Sequence, residues 1–412
     1  MRPCSVLLLF AVGLCAESLT LDQALKEAID KNLNLLAERH NVTIADARIL
    51  QAGLRPNPVL AYGQDYQNVF GTGITAQNGA GPPEWNLRAD FPIERGKKRS
   101  ARLDLAKAQK SVAELQLLNT LRQLILDVDS AFVDAQAARD SLVLARENLK
   151  TLQDVVEVNS SRVNAGDLAA VELRRSRLAA MQFENSVRQA ELKLRSALTR
   201  LLLLMGRAPT PDGLEIAGDL REDRAPAAPQ IREDAFLRRP DLLAITNDRS
   251  RSQADLRLQI AQGKVDLDFG VMYHRQYGYA NGNAMGFFLS AALPVWNRNQ
   301  GEIERAKREQ VQLQARIRAL RAQIESEVQA DYDQYLSAQK LVERIGTDML
   351  AQARDVRSIT EYSYRRGEAS FLEFLDAQRA YNDTVQSYND ARADYARSLF
   401  LLESVSAKGV QP

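Results

Sequence analysis

The sequence predicts a mostly α-helical chain with a small amount of membrane-type β-structure, a tube that is part barrel and part coiled coil. Three observations carry this reading. Residues 20–205 and 231–405 each read as a short helix, a strand pair, a very long helix, a Gly turn and a second long helix, so one plan is stated twice. The helical stretches are too long to fill a compact core. The strands between them are short and alternate apolar with polar residues, as a tilted strand with lipid on one side and water on the other would.

Composition sets the limits. The chain has 412 residues, room for about two or three ordinary domains. Its net charge is +1 with 26% charged residues of mixed sign, which argues against a dedicated nucleic-acid binder. Aromatics are only 6%, and Ala, Leu, Arg, Gln and Glu dominate, the composition of long helices.

Residues 1–16 read as an export signal. Arg2 supplies positive charge, and the apolar run 6–14 is far too short to span a bilayer as a helix. Cleavage is expected after Ala16. The alternative is a lipoprotein in which Cys15, after Val12, Gly13 and Leu14, is acylated. The other cysteine is Cys4. Cleavage after Ala16 therefore leaves no thiol for disulfides, metal thiolates or nucleophilic catalysis. No later segment reaches about 18 apolar residues, so a transmembrane helix is not expected and any membrane role rests on strands.

The first repeat opens at Thr20, Leu21, Asp22 and Gln23, a capping-box pattern. Its counterpart at 231–237 leads into Arg239, Pro240, Asp241 and Leu242, which align with Asn32, Leu33, Asn34 and Leu35. A helix through 45–53 is answered by 253–261. Strand pairs follow, within 58–92 and 265–294. Trp85, Leu87, Ala89 and Phe91 share one face, with Asn86, Arg88 and Asp90 on the other. Val265, Leu267, Phe269, Val271 and Tyr273 repeat this, as do Met285, Phe287, Leu289, Ala291 and Leu293. Both second strands are expected to stop at a proline, Pro92 and Pro294.

A long helical hairpin comes next in each repeat, over 96–205 and 300–405. From 103 to 163 an apolar stripe steps by three and four, with Lys110 and Asn159 as its polar members. A helix of some 65 residues is about 100 Å long at 1.5 Å per residue, the depth of a periplasm rather than of a compact domain. The partner stripe runs through Tyr335, Ala338, Val342, Ile345, Met349, Gln352, Val356 and Ile359. Each long helix ends at a glycine, Gly166 or Gly367, which supplies the left-handed residue of a helix stop. Asp167 or Glu368 follows, where the next helix dipole favours a carboxylate. Residues 206–230, with several Pro, Gly and Ala, read as a linker or strap, and 406–412 as a frayed tail.

Little else points to chemistry. His40 and His274 are the only histidines, too few for a His-based acid–base or metal site. The Gly-rich loop at 71–81 lacks the Lys-Ser/Thr of a phosphate cradle. Arg95, Lys97, Lys98 and Arg99 form a collar that either meets anionic lipid or is solvated. Neither an enzyme nor a cofactor is expected. A structural coiled-coil or adhesin-like envelope protein remains the alternative to a transport duct.

The chain resembles the TolC family of trimeric outer-membrane efflux ducts over nearly its whole mature length. It is most similar to the heavy-metal (cobalt–zinc–cadmium) branch. Glu94-Arg95-Gly96-Lys97-Lys98-Arg99 resembles that branch's Glu-Leu-Gly-Gly-Lys-Arg segment, departing at Arg95 and Lys97. The run from Pro294 to Gly301 resembles its Pro-x-x-x-Arg-Asn-Gln-Gly segment. The resemblance implies a homotrimer, with four strands per subunit completing a 12-stranded barrel above a helical tunnel. It implies an exit duct of a tripartite system, passively carrying substrates, heavy-metal cations first among them. The partners would be a periplasmic adaptor and an inner-membrane RND-type pump, and the place the Gram-negative outer membrane, extending into the periplasm.

The resemblance also implies site residues. The family's acidic constriction corresponds to Glu373 and Asp376, its acidic locking partner to Glu172, and the tyrosine that pairs with that partner to Tyr362. An Arg found in some members is replaced by Ala369, with Arg365 or Arg366 as possible stand-ins. The adaptor is expected at the turns, on Ala165, Gly166, Asp167 and Leu168 and on Arg366, Gly367, Glu368 and Ala369.

Overall fold

A computed structural model describes residues 17–67, 83–209, 214–277 and 282–409. The expected export signal with Cys4 and Cys15, the Gly-rich loop at 71–81 and residues 410–412 lie outside the described residues. In chain order come β1 (Glu17–Leu19), α1 (Leu21–Lys31), α2 (Leu33–Gly53), β2 (Val59–Asp65) and β3 (Glu84–Ile93). Two long helices follow, α3 (Lys98–Ala165) and α4 (Ala170–Leu204). Next are β4 (Leu214–Ile216), α5 (Ala228–Arg238), α6 (Pro240–Gln262), β5 (Leu267–Gln276) and β6 (Gly282–Ala291). The chain closes with α7 (Gln300–Arg344), a π-helical turn (Ile345–Met349), α8 (Leu350–Arg366) and α9 (Phe371–Val405). These elements form two compact units.

The first unit holds the chain up to Arg39, Leu117–Pro240 and the chain from Arg321 onward. Thr20 caps α1 as its pattern predicts, its backbone N–H donating to Gln23 Oε1 at 3.0 Å. Leu19, Ala24, Ala28 and Leu35 then pack against Val128, Ala131 and Phe132 of α3 and Leu201 of α4. The linker is more than a strap. β4 pairs in parallel with β1, Glu17 opposite Leu214, and the linker buries Ile216 and Leu220.

The seam between α3 and α9 is built on small residues, Ala137, Ala393 and Ala396, which let the two backbones approach closely. Asp129 on α3 sits inside this unit, 6% exposed. Burial, with Glu403 nearby, pushes its carboxyl up to about 7. One of its oxygens has no hydrogen-bond partner. Among the described residues, polar rungs cross the helical packing, three of them through a buried or half-buried amide. Gln386 donates to Ser141 Oγ at 3.2 Å, Gln378 to Asn148 Oδ1 at 3.0 Å, and the Tyr364 hydroxyl to Asn159 Oδ1 at 2.6 Å.

Three sequence expectations are corrected in this unit. Residues 406–408 are not frayed: Ser406 and Ala407 are buried, and Lys408 pairs with Glu403 at 3.0 Å. The second long helix is broken by the π turn, where Gly346 faces the Tyr388 ring of α9. A π turn is a one-residue insertion that a stripe of threes and fours absorbs without trace. The partner stripe is buried only through Ile345. Met349, Val356 and Ile359 are exposed in the isolated chain, Ile359 at 64%.

The second unit is His40–Gln116 with Asp241–Leu320. Its centre is a four-stranded antiparallel sheet in the order β2-β3-β5-β6. Register places Leu60, Ala89, Val271 and Phe287 in one row, Tyr62, Leu87, Tyr273 and Met285 in the next, and Phe91, Phe269 and Leu289 in a third. These rows share one face, because directly opposed residues point the same way. That face is apolar and bare, with Phe287 and Leu289 each 69% exposed. The other face carries Arg88 paired with Asp90 at 2.8 Å, together with Asp65, Glu84, Asp268 and His274. His274 Nε2 lies 3.0 Å from Glu84 Oε2.

Pro92 does not end its strand. β3 continues to Ile93, with Pro92 opposite Asp268. At that point β2 has already ended, so β3 has one neighbour and the missing N–H costs no ladder bond. The basic collar is largely committed. Lys98 Nζ bonds Asp266 Oδ2 at 2.6 Å, Arg95 N–H bonds Asp266 Oδ1 at 2.9 Å, and Arg99 holds the Gly53 carbonyl. Lys110, one of the two polar members of the α3 stripe, pairs with Asp46 at 2.8 Å.

Candidate gate and docking tip

The two glycine turns share one geometry. Gly166 has φ 85 and Gly367 φ 81. After α3, Asp167 N–H bonds the Arg162 carbonyl at 2.9 Å and Gly166 N–H that of Val163 at 3.1 Å. After α8, Glu368 N–H bonds Ser363 at 2.9 Å and Gly367 N–H bonds Tyr364 at 3.0 Å. Both are the paired six-to-one and five-to-two bonds of a helix closed by a left-handed residue. Ala165 and Arg366 are the last residues of their helices. Gly166, Asp167, Gly367 and Glu368 are exposed, Leu168 is half-buried, and Ala369 leans on the tip cluster.

The next helices start differently, which sets the two matched glutamates apart. Ser370 caps α9, and Glu373 completes a capping box, accepting from Ser370 N–H at 2.7 Å and from its hydroxyl at 2.9 Å. These bonds hold the Glu373 carboxyl below its ordinary range. The N-cap of α4 is Ala169, which has no oxygen to offer. Glu172 instead pairs with Arg175 at 2.8 Å. Asp376, one turn into α9, is exposed and has no side-chain partner among the described residues.

Tyr362, which family likeness matches to the locking tyrosine, lies on the surface of the isolated chain. It is 55% exposed, its ring 4.5 Å from the Arg366 guanidinium. Arg365 pairs with Glu361 at 2.8 Å. Both arginines are thus engaged on their own helix. The buried tyrosine is Tyr364, which stacks on Phe374 with centroids 5.5 Å apart and bonds Asn159. Burial pushes its hydroxyl above the ordinary tyrosine range, and Glu172 lies close enough to add to that. Arg162 completes the link by donating to the Tyr364 carbonyl at 3.4 Å. The sequence did hold a signal for this pair: Asn159 interrupts an apolar stripe, and a buried amide requires a partner.

Leu152, Val155, Phe371, Phe374 and Leu375 surround the Tyr364 ring. A packed aromatic cluster therefore backs the two turns, with Glu373 and Asp376 as an exposed acidic rim. Among the described residues no cluster of His, Cys, Asp and Glu is placed to hold a metal ion. No described helix is long and apolar enough to cross a membrane.

Residues 24–207 and again 231–407 match the family described as outer membrane efflux protein. The chain belongs to that family. It is an outer-membrane protein that extends into the periplasm, as the sequence predicts, and its relatives are efflux proteins rather than enzymes. Among the relatives of this family member is the cobalt-zinc-cadmium resistance protein CzcC of Cupriavidus metallidurans. The two are 25% identical over 365 residues, 88% of this chain and 84% of CzcC. The outer-membrane channel OprN has the same fold, with a TM-score of 0.78 at 18% identity over 95% of this chain and 91% of its own. The channel CusC gives 0.76 at 18% identity, over 94% and 91%.

Proposed function

We propose that this family member is the exit duct of a tripartite efflux system and works as a homotrimer. The observation that carries this is the sheet. It has one bare apolar face, one polar face and two unpaired edges, β2 and β6. In lipid every backbone N–H and C=O must be bonded, so an open edge is not tolerated. Four strands are too few to close on themselves, since the smallest barrels have about eight. Three copies of this four-stranded sheet supply twelve strands, and the edges then satisfy one another. The helices support the same assembly. Val171, Leu178, Met181 and Leu192 line an exposed apolar stripe on α4, answered by Val356 and Ile359 on α8.

Substrate passes passively through this duct from an inner-membrane pump of the RND type, delivered by a periplasmic adaptor. Heavy-metal cations are the favoured cargo, on the likeness to a cobalt-zinc-cadmium resistance protein. The test is fractionation with deletion. Heat-modifiable trimers in the outer membrane, and sensitivity of the deletion strain to zinc, cobalt or cadmium, are the expected results. Release with the soluble periplasm would overturn the reading in favour of a structural coiled-coil protein.

The gate is the acidic rim, and the two carboxylates divide its labour. Glu373 is occupied as a cap, whereas Asp376 is free to face ions. Asp376→Asn should weaken cation selectivity and divalent block in single-channel recordings. Glu373→Gln keeps the capping box and should change both less. Equal effects of the two substitutions would refute this division.

The adaptor docks at the two glycine turns. The left-handed backbone there disfavours a branched side chain by about 1–2 kcal/mol, while Asn tolerates it. Space around the Gly166 position is open, whereas a Cβ at Gly367 would meet Arg162 at 3.0 Å. Gly166→Leu and Gly367→Leu should abolish efflux with trimers intact, and Gly166→Asn should retain more of it. Full efflux in both leucine variants removes the turns as the docking site.

A further inference from the structure

Trp296 is 89% exposed, more so than any other large apolar side chain among the described residues. It stands five residues beyond the end of edge strand β6 at Ala291. Its neighbours Leu293 and Val295 are exposed as well. A bare indole at this place needs an occupant for the surface around it.

The other edge of the same sheet offers one. A groove opens just before β2, with Leu105, Ala106 and Leu258 along its lining and Leu54 and Pro56 as its wall. Leu54 lies five residues before Val59, the first residue of β2. The wall is fixed in place: Arg99 bonds the Gly53 carbonyl at 2.5 Å and Arg102 the Leu54 carbonyl at 3.3 Å. Arg48 and Arg55 rim the groove, and neither has a partner among the described residues. Guanidinium groups stack on indole faces, and Trp with Arg is a common pairing at the centres of protein interfaces.

Strand direction brings knob and groove to one level. β2 pairs antiparallel with β3, β3 with β5 and β5 with β6, so β6 ends at the side of the sheet where β2 begins. When β6 of one copy pairs antiparallel with β2 of the next, the residues following β6 lie beside those preceding the neighbour's β2.

We propose that Trp296 inserts into the groove at Leu54, Pro56 and Leu105 of an adjacent copy of this chain, locking neighbouring subunits together just beneath the strands. This rests on the closed-barrel reading given above. The test places the photoreactive residue p-benzoylphenylalanine at position 296 in the full chain, exported to the outer membrane and irradiated there. The expected result is subunit-to-subunit cross-links that mass spectrometry maps to 54–56 or 105–106, lost when Leu54→Glu is added. Intact trimers whose position 296 cross-links to lipid, to other residues or to nothing overturn the contact and leave the barrel standing. A chain that stays monomeric in the membrane overturns the barrel reading, and this contact with it.

Discussion

Phe287→Arg should destabilise the assembled barrel by about 2–4 kcal/mol, the cost of a cation near the bilayer midplane. Phe287 lies in the middle rows of the apolar face, opposite Val271 and stacked on Phe269 with centroids 6.3 Å apart. Two residues along, Leu289→Arg should cost less, being nearer the end of the strand. The informative control is the next residue. Ser290 points to the polar face and lies opposite Asp268, so Ser290→Arg gains a counter-charge and stays among polar groups. The measurement is the yield of heat-modifiable trimers in the membrane fraction. Equal yields from Phe287→Arg and Ser290→Arg would mean that the two faces see the same solvent, and the membrane reading of the sheet would fail.

Asp129→Asn should stabilise the helical unit at neutral and alkaline pH. The folded protein holds this carboxyl at about 7 instead of the ordinary 3.8, first by burial and then by the negative field of Glu403. A raised carboxyl pKa means that folding favours the protonated form. The penalty is therefore absent below the ordinary carboxylate range, grows as pH rises from about 4 to 7, and is complete above that. Moving a carboxyl tenfold in acidity takes about 1.4 kcal/mol, so the gain at pH 8 should be on the order of several kcal/mol. Asn has the same shape without the charge. Thermal unfolding of wild type and Asp129→Asn across pH 4 to 8 decides the matter. The two midpoints should converge at the acid end and separate with rising pH. Parallel curves would show that Asp129 is solvated after all.

Much of the architecture was legible because its periods are long and repeated. Period two put Met285, Phe287 and Leu289 on one face, and the structure keeps them there. Gly166 and Gly367 could be found as left-handed stops because each follows the last apolar step of its helix and precedes a carboxylate, and both take a positive φ. The features that escaped are short or compensated. β1 and β4 have three residues each, too few for any period. The π turn adds one residue and then lets the stripe resume. Tyr362 and Tyr364 are two residues apart on one helix, hence on different faces; family likeness pointed to Tyr362, whereas the buried partner of the Asn159 amide is Tyr364. The end of α9 looked frayed because its composition is ordinary, yet Ser406 and Ala407 pack against the body of the unit.

The three polar rungs, Ser141 with Gln386, Asn148 with Gln378 and Asn159 with Tyr364, bear on how such a duplicated chain could be re-engineered or could have diverged. Apolar seams made of alanine and leucine are nearly self-similar, so one hairpin could slide along the other by a heptad at small cost. The rungs forbid that, because any slide strands several buried amides at once. They act as the wards of a lock, keying one hairpin to the other at a single axial offset. A chimera that takes its second hairpin from a relative would then need all three pairs carried over together. Grafts that move only one member of a pair should pair out of step, even where every apolar position is retained.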